Sequence, residues 1–337
     1  MARSALVLAL MACVALLPSG TLAKFWYGEK KDYDTIIGVR GAWVRTYMET
    51  EKVWTRGRPA KAVGVEMSKA LFDNIEKVPR QQMTVPPPIN FNLDGFEVIL
   101  AMPDQQQAHS FSKVRINYNK GGHPLAGVYD VDHFDVHFDW DPQPVWDTMF
   151  NLTTGPDGPC EGVTPDKYSR VFEPLPKQCF PPDHTQAGQL EWGHGSHLFP
   201  LKAPEFNPPR RFNQTLIFGT WGGQVRFVEP MAATSWLKSK AVTGPGSKGV
   251  FFSIANPAYY PDDRYVAGRY GYIWSNQKTL KFELRSMRRA AVGCKYNPRL
   301  GWAGFRPPIG TPNTVEVTFS PVELCPFPTP DTWKPAA

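Results

Sequence analysis

The chain has 337 residues, of which 34 are proline, and its formal net charge is +6. This proline content is about twice the usual share of roughly 5%, and it excludes long helices through much of the chain because proline interrupts helical hydrogen bonding. The basic residues are scattered, with Arg-Arg pairs only at Arg210 and Arg288, so the clustered charge of a nucleic-acid-binding surface is absent from the sequence.

The first 23 residues have the pattern of a signal peptide, with Arg3 before the apolar run ALVLALMACVALLP and small residues before a cleavage position after Ala23. That run is shorter than the roughly 20 residues a membrane-spanning helix needs, and no later stretch approaches this length. We therefore expect a protein without a membrane span that is secreted, extracellular or in the cell envelope. Sequons at Asn151 and Asn213 would make it a glycoprotein if the source is a eukaryote.

The cysteines fit an oxidising compartment, because removal of Cys13 with the signal peptide leaves an even number. Two disulfides are expected, and buried free thiols are the alternative. Of the three connectivities that four cysteines allow, pairing of sequence neighbours is the simplest. The four residues are Cys160, Cys179, Cys294 and Cys325.

In chain order, DTIIGVRGAWVRTYMET predicts one or two strands. The helical spacing of Met67, Leu71 and Ile75 predicts a short helix that ends before Pro79. The segments GFEVILAMP, FSKVRINYN and VYDVDHFDVHFDW alternate or run apolar, as strands do. Residues 141–189 lose this pattern, which predicts a disulfide-tied surface loop.

The segment FNQTLIFGTWGGQVRFVEPM predicts a β-hairpin that turns at its glycines. A short helix in MAATSWLKS and strands in GVFFSIA, RYGYIWS and TLKFELRSM follow. Residues 290–337 form a proline-rich C-terminal extension. Together these elements predict a mainly β fold, a barrel or sandwich-like domain with one or two short helices and long proline-rich loops.

The segment VDHFDVHFDW places His133, Asp135, His137 and Asp139 on one face of a strand and aromatic or apolar residues on the other. Residues two apart are about 6.6 Å apart, so neighbours on this face could share one metal ion. His133 and His137 are about 13 Å apart in a straight strand. We therefore expect at most one of them to bind the ion directly with Asp135, while the other supports the site.

Other segments must complete such a site. EWGHGSHLF supplies Glu191, His194 and His197, and RFVEPM supplies Glu229. Histidine nitrogen and carboxylate oxygen are ligands of zinc-like divalent metals. Two alternatives stay open: the polar face of the strand could point to solvent, or it could form a metal-free acid–base or hydrogen-bond network. The predicted metal ligands are His133, Asp135, His137, His197 and Glu229.

Familiar catalytic motifs are missing. GHGSH lacks the glycine arrangement of the serine-hydrolase nucleophile elbow. The sequence contains no H-E-x-x-H zinc motif, P-loop or dinucleotide-binding fingerprint. The sequence therefore leaves open whether the protein is an enzyme.

The succession GRPAKAVGVEMSKAL, GHPLAGVYDVDHFDVHF, GSHLFPLKAPEF, FGTWGGQVRFVEPM and YYPDDRYVAGRYGYIW resembles an uncharacterised family of secreted or envelope domains. Its structurally known relative is a bacterial protein under sigma-E control. The resemblance covers residues 37–289 and implies a β-rich fold that is compatible with a homo-oligomer. It implies that the polar residues, with His123 and Tyr129 among them, form a shared site. We predict that His123, Tyr129 and His194 support the ligands.

These observations predict a secreted β-rich protein with a divalent-metal site, whose activity and small-molecule or protein ligand are unidentified. The alternative function is a non-catalytic extracellular structural or binding module with a buried His/Asp hydrogen-bond network.

Overall fold

The computed structural model describes the greater part of the chain between residues 23 and 293. The described residues are 23–79, 95–104, 108–123, 128–141, 175, 179–191, 195–207, 211–221, 224–239, 242 and 249–293.

The described residues form strands and very short helices. In chain order the strands are β1 (Ala23–Asp32), β2 (Trp43–Glu51), β3 (Ala62–Ser68), β4 (Gly95–Ala101), β5 (Lys113–Asn119), β6 (His133–Asp139), β7 (His184–Glu191), β8 (Gly195–Pro200), β9 (Gln214–Trp221), β10 (Gln224–Ala233), β11 (Val250–Ser253), β12 (Tyr265–Val266), β13 (Arg269–Ser275), β14 (Thr279–Arg285) and β15 (Arg288–Arg289). The α-helices are α1 (Asp34–Ile37), α2 (Lys69–Phe72) and α3 (Thr234–Leu237), and Ile75–Lys77 forms a 3-10 turn.

Two large antiparallel sheets dominate the fold, which confirms the prediction of a mainly β protein. The six-stranded sheet has the order β1-β2-β3-β14-β13-β11, and the seven-stranded sheet has the order β4-β5-β6-β10-β9-β8-β7. A small third sheet pairs β12 with β15. The two large sheets pack on a shared apolar core, where the ring of Phe134 on β6 lies 5.7 Å from that of Phe282 on β14.

Several local predictions are confirmed and others are corrected. The predicted hairpin is β9 and β10, which pair from Gln224 opposite Trp221. The predicted helix begins later than its spacing suggests, because Met67 is a buried residue of β3. Ser68 then ends the strand, and its hydroxyl accepts a hydrogen bond from the backbone N–H of Leu71 at 3.1 Å, which caps α2.

Two strands at the edges of the large sheets, β1 and β7, begin outside the segments for which the sequence predicted strands. β1, which precedes residue 37, pairs with β2 along the edge of the six-stranded sheet. β7 begins at His184, within the predicted loop. The rest of that loop is mostly outside the described residues, as are residues 294–337, including most of the predicted C-terminal extension.

Cys179 is buried and disulfide-bonded. Cys160, Cys294 and Cys325 lie outside the described residues, so the pairing stays a prediction. Of the two sequons, Asn213 is described and exposed, and Asn151 is not described. Among the described residues, no helix has the length and apolar character needed to cross a membrane.

Candidate metal centres

The polar face of β6 is buried, so the interpretation of this face as the solvent side of a strand is wrong. His133, Asp135, His137 and Asp139 are each at most 5% exposed. On the other face, Phe134, Val136 and Phe138 enter the core between the two large sheets. Both faces of β6 are therefore buried.

A second apolar cluster packs on the polar side of this sheet. It is built on the buried residues Tyr129, Phe199, Ile217 and Met231. Met231 is the β10 partner of Asp135, so the cluster adjoins the histidines and carboxylates. Apolar residues around polar groups strengthen their electrostatic interactions, because the surroundings have a low dielectric.

His137, His197 and Glu229 form one of two groups on this face, which we call the inner triad. The three residues come from β6, β8 and β10, and all are buried. Glu229 Oε2 lies 3.2 Å from His137 Nε2 and 3.5 Å from His197 Nε2. One ligand atom from each side chain lies within 4.8 Å of the other two.

The ring of Phe227 packs against both histidines of the inner triad. Its centroid lies 5.1 Å from the His137 ring and 5.6 Å from the His197 ring, edge to face in both cases. Phe227 covers Gly219 on β9 so closely that a Cβ atom there would lie 1.7 Å from the ring. Glycine at position 219 therefore leaves the space that the Phe227 ring occupies.

His123, His133 and Asp135 form the second group, which we call the turn triad. His133 and Asp135 lie on β6, whereas His123 follows the turn after β5. Asp135 Oδ2 accepts hydrogen bonds from His123 Nε2 at 3.1 Å and from Asn119 Nδ2 at 2.6 Å. Asp135 Oδ1 lies 3.2 Å from His133 Nε2 without forming a hydrogen bond.

The surroundings of the turn triad favour an ionised Asp135. Burial by itself raises the pKa of the carboxyl group, but the charge of His133 and the hydrogen bond from His123 hold this pKa below its ordinary value. An ionised carboxylate is the form that binds a metal ion. Both triads therefore combine buried imidazole nitrogen with a carboxylate oxygen, and each could hold a metal ion.

The five predicted ligands are divided between the two triads. His137, His197 and Glu229 come together, and His133 and Asp135 join His123 instead. His123, for which the sequence predicts only a supporting role, is thus a candidate ligand itself. Tyr129, predicted in the same supporting role, lies with its ring 5.7 Å from His123 and 6.2 Å from His133. Tyr129 therefore packs beside the turn triad.

Two other candidates stay untested. His194 lies outside the described residues. Glu191 ends β7, but its side chain is not described.

Sequence reasoning missed the polar residues that β5 contributes to the same face. Arg115 pairs in register with His137, and Asn119 pairs with His133. The buried Arg115 donates a hydrogen bond from Nε to Glu97 Oε2 at 2.7 Å. The alternation of FSKVRINYN carries a signal for these residues, because its polar side chains have the same two-residue period as those of VDHFDVHFDW.

Glu205 was also missed, and no strand pattern points to it because it lies in the segment after β8. It is 1% exposed, and the hydroxyl group of Tyr129 donates a hydrogen bond to its Oε1 at 3.4 Å. Burial raises the pKa of its carboxyl group, and a hydrogen bond from Thr215 opposes the shift. Glu205 thus adds a buried acid to the apolar cover of the polar face.

Comparisons of the chain with protein-family models, curated proteins and solved structures found no significant match. The family resemblance of the motifs stays a prediction, and the interpretation of the site depends on its geometry.

Proposed function

We propose that the protein binds a divalent metal ion of the zinc type at the inner triad. The observation that carries this proposal is the position of Glu229 Oε2, 3.2 and 3.5 Å from the Nε2 atoms of His137 and His197. Bonds of about 2.0–2.2 Å to a tetrahedral ion place neighbouring ligand atoms about 3.3–3.6 Å apart. The distances in the protein are close to this range.

The buried carboxylate supports the same proposal. Glu229 is 2% exposed, and its Oε2 makes no hydrogen bond with the described residues. A buried carboxylate oxygen without compensation is unfavourable by several kcal/mol, and a metal ion is one of the ways in which proteins compensate it. A bound cation would also hold the two imidazole rings in their present positions.

The ligand set indicates the chemistry that the ion would supply. Two imidazoles and one carboxylate suit zinc and related transition metals, whereas calcium and magnesium prefer ligand sets made of oxygen. Three protein ligands leave a fourth position in a tetrahedral site, which water occupies in many zinc proteins. The residues of the inner triad would position such an ion and exclude bulk water from three sides.

We further propose that the protein acts outside the cytoplasm. The signal-peptide pattern of residues 1–23 and the disulfide-bonded Cys179 support this, because disulfides persist in oxidising compartments. The motif resemblance to a family of secreted or envelope domains agrees with this location. N-terminal sequencing of the exported chain tests the proposal, and a chain that still begins at Met1 would contradict it.

A second candidate function is a non-catalytic extracellular module in which the histidines only complete a polar network. The hydrogen bonds from Asn119 and His123 to Asp135 Oδ2 favour it. They link His123 to Asp135 without an ion, but they leave Asp135 Oδ1 without a hydrogen bond from the described residues and do not include the inner triad.

Elemental analysis of protein purified without chelator tests the metal proposal. We expect at least one equivalent of a divalent transition metal per chain in the wild type. His197→Ala and Glu229→Gln each remove ligands of the inner triad and should lower this content by one equivalent. His184→Ala is the control, because His184 lies on β7 outside both triads and should keep the wild-type content.

The same preparation gives a second readout of metal binding. A ligand that binds only the folded state stabilises it by about 2.7 kcal/mol at a hundredfold excess over its Kd. EDTA should therefore lower the melting temperature of the wild type and of His184→Ala, with a smaller effect on Glu229→Gln. Metal-free wild type, or equal metal content in wild type and Glu229→Gln, would refute the proposal.

A further inference from the structure

We propose that the turn triad, His123, His133 and Asp135, is a second divalent-metal site that loads separately from the inner triad and exchanges its ion with solvent. The two sites have no ligand in common, because His137, His197 and Glu229 form the inner triad. This inference does not depend on occupancy of the inner triad.

The first support is the orientation of His133. Its Nδ1–H donates a hydrogen bond to the backbone carbonyl oxygen of Val131 at 2.6 Å. Because a carbonyl oxygen can only accept, this bond places a proton on Nδ1 and directs Nε2 toward Asp135. Histidines that bind metals are commonly held in this way, with the distal ring nitrogen donating to a backbone carbonyl or carboxylate.

The second support is the difference in hydrogen bonding between the two carboxylate oxygens of Asp135. Oδ2 accepts hydrogen bonds from Asn119 and His123. Oδ1 has no hydrogen-bond partner among the described residues and lies 3.2 Å from His133 Nε2. Asp135 is only 5% exposed, so solvent compensates Oδ1 little, and a cation beside this oxygen would be favourable.

Asn119 adds to the same arrangement. Its Nδ2 lies 3.3 Å from His133 Nε2 as well as 2.6 Å from Asp135 Oδ2. The amide thus holds the imidazole and the carboxylate side by side. A cation between Nε2 and Oδ1 would supply the partner that Oδ1 lacks among the described residues.

The third support is the position of His123 at the edge of the buried face. Its side chain is 17% exposed, so the turn triad reaches solvent. Gly122 has a φ of +81°, and a Cβ atom there would lie 1.9 Å from the backbone oxygen of Tyr129. The backbone is therefore tightly constrained next to His123, while its imidazole gives an ion a route to and from solvent.

The ligand chemistry selects the kind of ion. Two imidazole groups and one carboxylate favour zinc, cobalt or nickel over calcium and magnesium. Partial exposure of His123 leaves room for water to complete the coordination. We therefore expect weaker binding and faster exchange than at the enclosed inner triad.

Zinc titration of EDTA-stripped protein, followed with a chromophoric zinc indicator, tests the second site. The proposal predicts two zinc ions per chain in the wild type, and one in His123→Gln and in His197→Ala. In the wild type, EDTA should remove one zinc ion at least tenfold faster than the other. His123→Gln should lose the fast phase, and His197→Ala should lose the slow phase.

Two further variants separate metal binding from a structural role. Asp135→Asn keeps the size of the side chain but removes its charge, and it should bind one zinc ion with the slow phase only. His184→Gln is the control and should bind two. Near-ultraviolet circular dichroism identifies any variant that has lost its fold, and the conclusion then comes from the remaining turn-triad variant.

Each result of the titration decides between the sites. One zinc ion in the wild type that His197→Ala abolishes and His123→Gln leaves would overturn the second site while upholding the inner triad. One zinc ion with the opposite dependence would uphold the turn triad and refute the proposed function. No zinc binding in the wild type would overturn both.

Discussion

Gly219 shows how one residue without a side chain organises the inner triad. The Phe227 ring occupies the space above it and contacts both histidines edge to face. Any other residue at this position would compete with the ring, because buried side chains are packed about as densely as in crystals of small molecules. The geometry of the two imidazoles thus depends on a residue that cannot bind an ion.

Gly219→Ala should therefore destabilise the protein and weaken zinc binding at the inner triad. A Cβ atom 1.7 Å from the Phe227 ring forces the ring to move, and overpacking of this kind typically destabilises a fold by about 1–3 kcal/mol. Urea unfolding measures the loss of stability, and zinc titration measures the affinity.

Gly268→Ala is the matched control, because the nearest atoms to a Cβ atom there lie at 3.4 Å, an ordinary contact distance. It should change the free energy of unfolding by less than about 0.5 kcal/mol. Equal effects of the two substitutions would show that Phe227 does not position the histidines.

At the scale of the strand, β6 contributes one face to the apolar core and the other face to the two triads. Its even-numbered residues enter the core between the sheets, and its odd-numbered residues supply ligand atoms to both triads. The two-residue period of a strand makes this division possible. Core packing and site geometry are therefore separable by substitution on one strand.

Phe134→Ala tests this separation. The Phe134 ring packs against Phe72, Tyr118 and Phe282 at centroid distances of 5.1–5.8 Å, and truncation of a buried phenylalanine typically destabilises a protein by about 3–5 kcal/mol. The zinc stoichiometry of the folded variant should equal that of the wild type.

Urea unfolding and zinc titration of Phe134→Ala provide the two measurements. Val53→Ala serves as the control, because Val53 is 78% exposed and its truncation should change stability by less than about 0.5 kcal/mol. A folded Phe134→Ala protein that has lost a zinc ion would contradict the division of β6 into two independent faces.

The alternation of VDHFDVHFDW was sufficient to predict a strand with one polar and one apolar face. Sequence could not show that this face is buried, because burial depends on β5 and β10 on either side and on the cover that includes Tyr129. It also could not show which residues meet. Pairing register and the segments across from β6 decide that His137 joins Glu229 and that Asp135 joins His123.

At the scale of the whole molecule, the interior contains titratable groups far from the triads in sequence. His109 is fully buried, and its Nε2–H donates a hydrogen bond to the backbone oxygen of Pro103 at 3.0 Å. Burial lowers the pKa of His109 from 6.5 to about 4, although its backbone hydrogen bonds oppose the shift. The folded protein therefore keeps this imidazole neutral at pH values where the unfolded chain binds a proton.

This difference predicts a loss of stability in acid. The contribution of His109 is fully present above its unfolded pKa of 6.5 and falls as the pH decreases toward about 4. At about 1.4 kcal/mol for each pKa unit, the shift corresponds to a loss of about 3 kcal/mol across this range. The free energy of unfolding of His109→Gln should therefore decrease less steeply than that of the wild type as the pH falls. The difference in slope corresponds to at most one bound proton.

Urea unfolding at pH values from 7.5 to about 4, with EDTA in every sample, measures this slope. The chelator removes competition between protons and metal from both proteins. Identical slopes for wild type and His109→Gln would show that His109 does not titrate differently in the folded and unfolded states.

The inner triad draws one residue from each of three strands of one sheet that are not consecutive in sequence: β6 pairs directly with β10, and β9 joins β10 to β8. No short segment of the newly made chain can hold the ion in this geometry, and closing such long loops is a slow step in folding. Under the proposed function, we expect an ion to enter the inner triad only after the sheet has formed. Folding would then come before metal binding, so an unfolded chain that is exported would not have to carry metal across a membrane.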